Sequence, residues 1–412
     1  MRSPPWVTAL IATLIVQVVS SFAGMTIPVL GPPLMDRAGL PRESIGLVSA
    51  TSSAGICWFL ACGGPMLNHH GAVRTLQIGL ACVALGLFVL SQPLGLLALI
   101  GALAVGFGIA PNTPAGSQIL SRAAPPRHRT LIFSIKQAGV PFGGALAGLI
   151  VAPLALAYGV PTALGTVIAL CLVAMLLVQV FRGRLDGGRD ARHAGWARAL
   201  LSVKVLVRSV GSLRSHPSLP LLTALGASFS VLQACLGAFT ATYVVTRDGT
   251  SLVEAGQVVA VMQGASMLSR IGLGWVADRM RSALRLLAIQ AMASTLAVVL
   301  LVSSADQGLW ALYGAVALAG VTAIGWNGVH MAELARVAPP HLVGDVTSAA
   351  NLFGFLGSIC GPLFFTLMVT LSGSYALAFI LVAAQLAGFG LVSLLSLRNE
   401  AGNQTRRGSG GA

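Results

Sequence analysis

The sequence predicts an all-α membrane protein: twelve transmembrane helices in two pseudo-symmetric six-helix bundles. Scarce charge, a succession of apolar runs of helical length and a likeness between the two halves carry this expectation. Of 412 residues, 9% are charged and 56% apolar, and the mean hydropathy is +0.86. A soluble domain carries about 25% charged residues. A soluble enzyme, a disordered chain and a secreted disulfide scaffold are therefore excluded. About 20 apolar residues cross ~30 Å of hydrocarbon, so twelve such segments with short connections fill most of the chain. A transmembrane barrel would alternate apolar and polar residues. Unbroken runs such as Leu76–Leu90 and Leu164–Val180 rule that out.

Apolar runs between charged or Pro/Gly-rich punctuation place helices near 6–30, 43–66, 73–91, 95–120, 130–156, 160–181, 217–245, 254–276, 284–303, 307–335, 345–371 and 374–397. The expected units are an N-terminal bundle (1–181), a basic linker (182–216), a C-terminal bundle (217–397) and a tail (398–412). In the linker, Trp196, Leu200, Val203 and Val207 share a helical face. It reads either as an amphipathic helix on the inner leaflet or as a solvated basic connection. The first apolar run, from Trp6 to about Leu34, is too long for a signal peptide. Cys57, Cys62, Cys82, Cys171, Cys235 and Cys360 all fall inside apolar runs and read as small buried hydrophobes, with no disulfide or metal role.

The net charge of +14 sits mostly in loops, which points to anionic lipid and topology rather than nucleic acid. With both termini cytoplasmic, inner segments hold twenty cations and outer loops only Arg37, Arg42 and Arg247. That split predicts a multi-pass protein of the inner membrane with both termini inside. A shift of 214 residues aligns Arg122, Pro125, Pro126, Ser134 and Gly143 with Arg336, Pro339, Pro340, Ser348 and Gly357. A shift of 210 aligns Gly46, Ala50 and Gly64 with Gly256, Ala260 and Gly274. Such a six-plus-six duplication is a transporter pattern, with a site between the repeats.

The segment Gly274-Trp-Val-Ala-Asp278-Arg279-Met-Arg281 resembles the loop motif of the major facilitator superfamily, G-x-x-x-D-R-x-G-R-R. Its first-half counterpart reads Gly64-Pro-Met-Leu-Asn68-His69-His70-Gly71, with Asn in place of the acid. The resemblance spans about residues 6–397 and implies rocking bundles and a gate centred on Asp278 and Arg279. Gly64, Asn68 and Gly274 would be the other gate positions. Arg270, eight residues before Asp278, is similar to an arginine of the monocarboxylate, oxalate/formate and cyanate-permease-like branches, which implies that it binds a substrate carboxylate. The fifth helix lacks the Gly-Pro pair expected of the drug antiporters.

Arg270 lies about 12 Å into its span at 1.5 Å per residue. Holding it there is costly unless it faces a wet cavity or a partner, and its fork suits a carboxylate. Lys136 lies about 10 Å inside its own span, either as a second anion ligand or snorkelling to the interface. Gln137, Asn112, Gln263, Asn327 and Asn351 are further candidate ligands. Gln17, Ser21, Thr113, Gln233 and Tyr243 stand at similar depth. His330 and Glu333 share a helix face and are candidates for proton coupling, although Glu333 can instead pair with Arg336.

No zinc, phosphate-loop or nucleophile-elbow motif occurs, so no enzyme activity and no cofactor or metal is expected. The expected function is secondary active transport of a small mono- or dicarboxylate by a monomer, with protons as a candidate coupling ion. The alternative is efflux of neutral or amphipathic compounds.

Overall fold

A computed structural model describes residues 5–125, 129–186, 211–279, 283–304, 307–339 and 342–409. Among these residues the chain is helical throughout, without strands. The spans are α1 (Pro5–Val29), α2 (Ile45–Cys62), α3 (Ala72–Leu90), α4 (Gly95–Ile109, resuming as Asn112–Ala123), α5 (Arg129–Tyr158) and α6 (Val160–Gln179). The second half supplies α7 (Ser218–Asp248), α8 (Leu252–Arg279), α9 (Ala283–Ser303), α10 (Leu309–Ala319, resuming as Asn327–Val337), α11 (Val343–Ser372) and α12 (Tyr375–Ser409). Eleven described helices are apolar enough to cross a membrane. The twelfth, α8, is long enough at 28 residues; Gln257, Gln263, Ser266, Ser269 and Arg270 lower its hydropathy.

Sequence and structure differ in the second, fourth and tenth helices. The predicted second helix ends early at Cys62, and Gly64–His70 forms a separate short helix after Gly63. The fourth and tenth helices, expected to be continuous, are each interrupted within the span. The predicted amphipathic linker helix lies outside the described residues. The turn between α7 and α8 follows sequence rules closely. Ser251 and Glu254 form a reciprocal cap, with Glu254 Oε2 accepting the Ser251 N–H (2.9 Å) and Ser251 Oγ accepting the Glu254 N–H (3.2 Å).

Within the first half, α1 packs on α5, α3 on α4 and α6, and α2 on α4. Within the second, α7 packs on α11 and α12, α8 on α10, and α9 on α12. Between the halves, α5 lies along α8 and α2 along α11. The close contacts run from the side away from the termini (the far side) to mid-span. A Cβ on Gly148 would run into the Gly256 carbonyl, and one on Gly256 into that of Gly148. Backbone therefore meets backbone there, as small residues permit in lipid. Gly46 lies against the Pro362 carbonyl, and Thr366 Oγ1 donates to the Glu43 carbonyl (3.0 Å). At mid-span the Gln263 side chain covers Gly144.

Substituting Gly148 by Leu wedges α5 away from α8. A cysteine replacing Ala260 in a cysteine-free background then reacts several-fold faster with a membrane-impermeant maleimide. An unchanged rate shows that the backbone contact does not hold the far side closed.

Candidate functional site

The two interrupted helices set the depth of the site. Pro111 has no N–H to give, so α4 cannot continue its ladder through that residue. Around the break, Asn112 Nδ2 donates to the Ile109 carbonyl (3.0 Å), and Lys136 Nζ reaches from α5 to the Asn112 carbonyl (2.9 Å). In α10, Gly320–Ile324 forms a π-helical turn before Gly325 and Trp326. Ser269 of α8 donates to the Val321 carbonyl (2.6 Å) and Gln290 of α9 to that of Thr322 (2.7 Å). The 214-residue shift brings Pro111 onto Gly325, so the two breaks occupy equivalent places in the halves.

Both intramembrane cations stand beside these breaks. Lys136 is 2% exposed, held by the Asn112 carbonyl and 3.5 Å from Gln137 Oε1. Gly116 makes room for its stem, since a Cβ there would lie 2.9 Å from Lys136 Cε. Arg270 follows Ser269, which is bonded to the α10 turn. It is partly buried, and its Nε is fully buried without a hydrogen-bond partner. Among the described ion pairs, no carboxylate reaches it.

The register of α5 on α8 places Arg270 relative to the other bundle. Gly144 and Gln263 meet at mid-span. Seven residues are about two turns, so Gln137 on α5 and Arg270 on α8 lie on the same two faces, two turns nearer the termini. The helices run antiparallel, so Gln137 and Arg270 occupy facing sides at one level. Gln137 is exposed there, where Gly144 above it is buried. The bundles thus part below mid-span into a cleft that opens toward the termini.

The remaining candidates separate into two groups. Asn327 and Asn351 are exposed, at the first residue after the α10 break and in the half of α11 nearer the termini. Asn112 and Gln263 are buried, one serving the α4 break and the other the inter-bundle contact. Gly64 is exposed, and a Cβ there would meet nothing within 4 Å, so no close packing depends on it in this conformation. The side chains of Asn68, Asp278 and Arg279, and the surroundings of Gly274, lie outside the described residues.

His330 and Glu333 are both buried, but each has its own partner. Glu333 takes a bidentate bond from Arg336, with both N···O distances at 2.7 Å. His330 Nε2 lies 2.9 Å from the Leu222 carbonyl. A carbonyl only accepts, so Nε2 carries the proton and Nδ1 is left buried without a partner. The ring also lies edge-on to Trp326, which stacks on Phe229 and donates to Gln233 Oε1 (2.8 Å).

Sequence reading passed over Ser269, Gln290 and Asp186. The first two looked like ordinary small or amide residues, and only the π-turn gives them a task. Asp186, just past α6, accepts the Val73 N–H at the start of α3 (2.7 Å). Gly71 lies against this carboxylate with φ +87°, a conformation that favours glycine. The cap and its helix are 113 residues apart, so no local pattern reveals the pairing.

Comparison with known proteins gives a family and a fold. The profile described as Major Facilitator Superfamily matches residues 13–362. An uncharacterized MFS-type transporter of Mycobacterium tuberculosis is 25% identical over 380 residues, covering 90% of this chain and 81% of the relative. A hexuronate transporter of Bacillus subtilis is 27% identical over 128 residues, 31% of this chain and 30% of that protein. Among solved structures, a peptide transporter in complex with sulfate has a TM-score of 0.78 at 14% identity, covering 95% of this chain and 94% of its own. A bacterial homologue of the human lysosomal transporter Spinster, inward-facing and occupied, has a TM-score of 0.76 at 14% identity, covering 96% and 98%.

Replacing Asp186 by Ala removes the cap of α3, a loss of about 1 kcal/mol. Replacement by Asn keeps an acceptor and costs less. Amide exchange at Val73 and Arg74, compared with exchange deep in α3, reads the difference; equal protection in all three proteins rules the cap out.

Proposed function

The chain belongs to the Major Facilitator Superfamily, and from that premise we propose a secondary active transporter that moves a small organic anion by alternating access. The observation that carries the anion is Arg270: a guanidinium inside a span, its Nε buried without a partner, facing the other bundle across the cleft. An unpaired arginine at that depth is costly. A bound carboxylate would offset the cost through a bidentate, charge-assisted pair. The partial likeness to a hexuronate transporter supports an acidic substrate.

In this reading Gln137, Asn327 and Asn351 line the cleft around Arg270. Lys136 adds its charge from behind Gln137, while Asn112 and Gln263 support the walls. The twenty-to-three division of loop cations supports a reading with both termini in the cytoplasm and the protein in the cytoplasmic (inner) membrane. The cleft of this conformation then opens inward. Asp278 and Arg279, with Gly274, Gly64 and Asn68, would form the inner gate when the bundles rock to the opposite state. Protons are the proposed coupling ion, through His330 rather than Glu333, whose carboxylate is held by Arg336. A monomer contains the whole site.

Transport by purified protein in proteoliposomes, against a panel of carboxylates, amines and sugars, tests the proposal. Arg270→Lys should lower carboxylate transport ~10-fold or more, because an ammonium lacks the fork. Lys136→Arg should be milder than Lys136→Gln, which leaves the Asn112 carbonyl without its charged donor. Wild-type carboxylate rates in well-folded Arg270→Ala and Lys136→Gln overturn the anion mechanism and favour efflux of neutral or amphipathic compounds.

Orientation is read separately. In a cysteine-free background, cysteines replacing Ser212 and Gly249 should label from opposite sides, the second from outside. Labelling of both from one side defeats the twelve-helix topology.

A further inference from the structure

Resting on the organic-anion reading, the geometry points to Ser269 as the positioning residue of the site. Its hydroxyl fixes the rotation of α8 on α10 and so aims the Arg270 guanidinium across the cleft at the substrate carboxylate.

Three consecutive residues of α8 look in three directions at this level. Leu268 is 71% exposed, toward lipid. Ser269 meets α10 and Arg270 faces the cleft. At mid-span α8 is held on two sides: the Met262 carbonyl lies against Gly320 of α10, and Gln263 covers Gly144 of α5. Met262 and Ser269 are seven residues apart, as are Gln263 and Arg270. Seven residues are about two turns, so each pair shares a face. Two turns below mid-span the α5 side has opened into the cleft. There Ser269 Oγ donates to the Val321 carbonyl (2.6 Å) and fills the notch left by Gly325. Among the described hydrogen bonds, it is the one that ties α8 to another helix beside Arg270. Its acceptor belongs to the π-turn, a backbone irregularity of the kind often found at functional sites.

The internal duplication supplies a comparison within the same chain. The shifts of 210 and 214 carry Met262 and Gly320 onto Ser52 and Gly106, and a Cβ on Gly106 would likewise meet the Ser52 carbonyl. That contact is common to both halves. The next one down is not. Ser269 and Val321 fall on Phe59 and Phe107, whose rings meet edge-on at 5.2 Å. Arg270 falls on Leu60. Ring packing suffices beside a leucine. Beside Arg270 the chain carries a directional bond instead, and a guanidinium that meets a carboxylate at two points needs its direction fixed.

Transport by the purified full chain in proteoliposomes tests this, using whichever of acetate, pyruvate, succinate and glucuronate the parent carries fastest. Ser269→Ala should raise the KM ~10-fold, about the worth of one hydrogen bond to a charged group, with the maximal rate within about two-fold. Relocating the hydroxyl separates aiming from mere satisfaction of the carbonyl. In Ser269→Gly combined with Gly325→Ser, the new hydroxyl can bond back to the Val321 carbonyl four residues earlier, inside α10. The φ of −76° at Gly325 is open to any residue. Melting should recover relative to Ser269→Gly alone, while the KM stays raised. Recovery of both shows that the hydroxyl serves only the backbone and overturns the inference. A parental KM in Ser269→Ala, or a loss confined to its maximal rate, overturns it while the anion reading stands. If the double variant does not fold, that split of KM against rate decides. If the parent carries none of the four acids, both readings fall.

Discussion

In hydrocarbon, a backbone group that loses its helical partner has no water to turn to, and much of this site follows from that constraint. Breaking α4 at Pro111 and α10 at Gly325 brings polar backbone to the middle of each bundle. It also creates carbonyls that must be served. Lys136, Asn112, Ser269 and Gln290 serve them. These four side chains consequently sit at one depth in two halves of the chain. Arg270 occupies that level because it follows Ser269 on α8.

The same constraint distinguishes the cations. An ammonium bonded to a break carbonyl is part of the scaffold, and Lys136 is packed accordingly. A guanidinium with a buried and unpaired Nε has no such duty. Charges nearer the helix ends are differently arranged: Glu333 with Arg336, Asp186 with Arg182 and the α3 amide, Asp36 with Arg42. They tie residues within one bundle, and among the described residues the side chains assigned to the facing walls of the cleft are neutral amides and Arg270.

Much of the fold was legible in the sequence because apolar length is a strong signal in a membrane chain. Span positions, the duplication and the depth of Arg270 and Lys136 could all be counted. The breaks could not, since Pro111 and Gly325 stand in runs whose hydropathy continues on both sides. Nor could the separation of Asn112 and Gln263 from Gln137 and Asn351. All four are amides at similar depth, and which are walls and which face the cleft depends on helix rotation against a partner remote in sequence. The pairing of Glu333 with Arg336 was readable from a three-residue spacing. The Asp186 cap was not, because its partner belongs to another helix.

The contact of Gly148 with Gly256 has an energetic consequence for the whole molecule. No side chain of one bundle is keyed into the other at that point, so the pair closes the far side by backbone packing alone. Separating it forfeits dispersion contacts that are individually ~0.1–0.2 kcal/mol. Moving a two-state equilibrium from one extreme to the other takes about 5.5 kcal/mol of differential binding. The cost of parting the bundles at this contact is then a sum of such small terms, with no interlocked side chain to free.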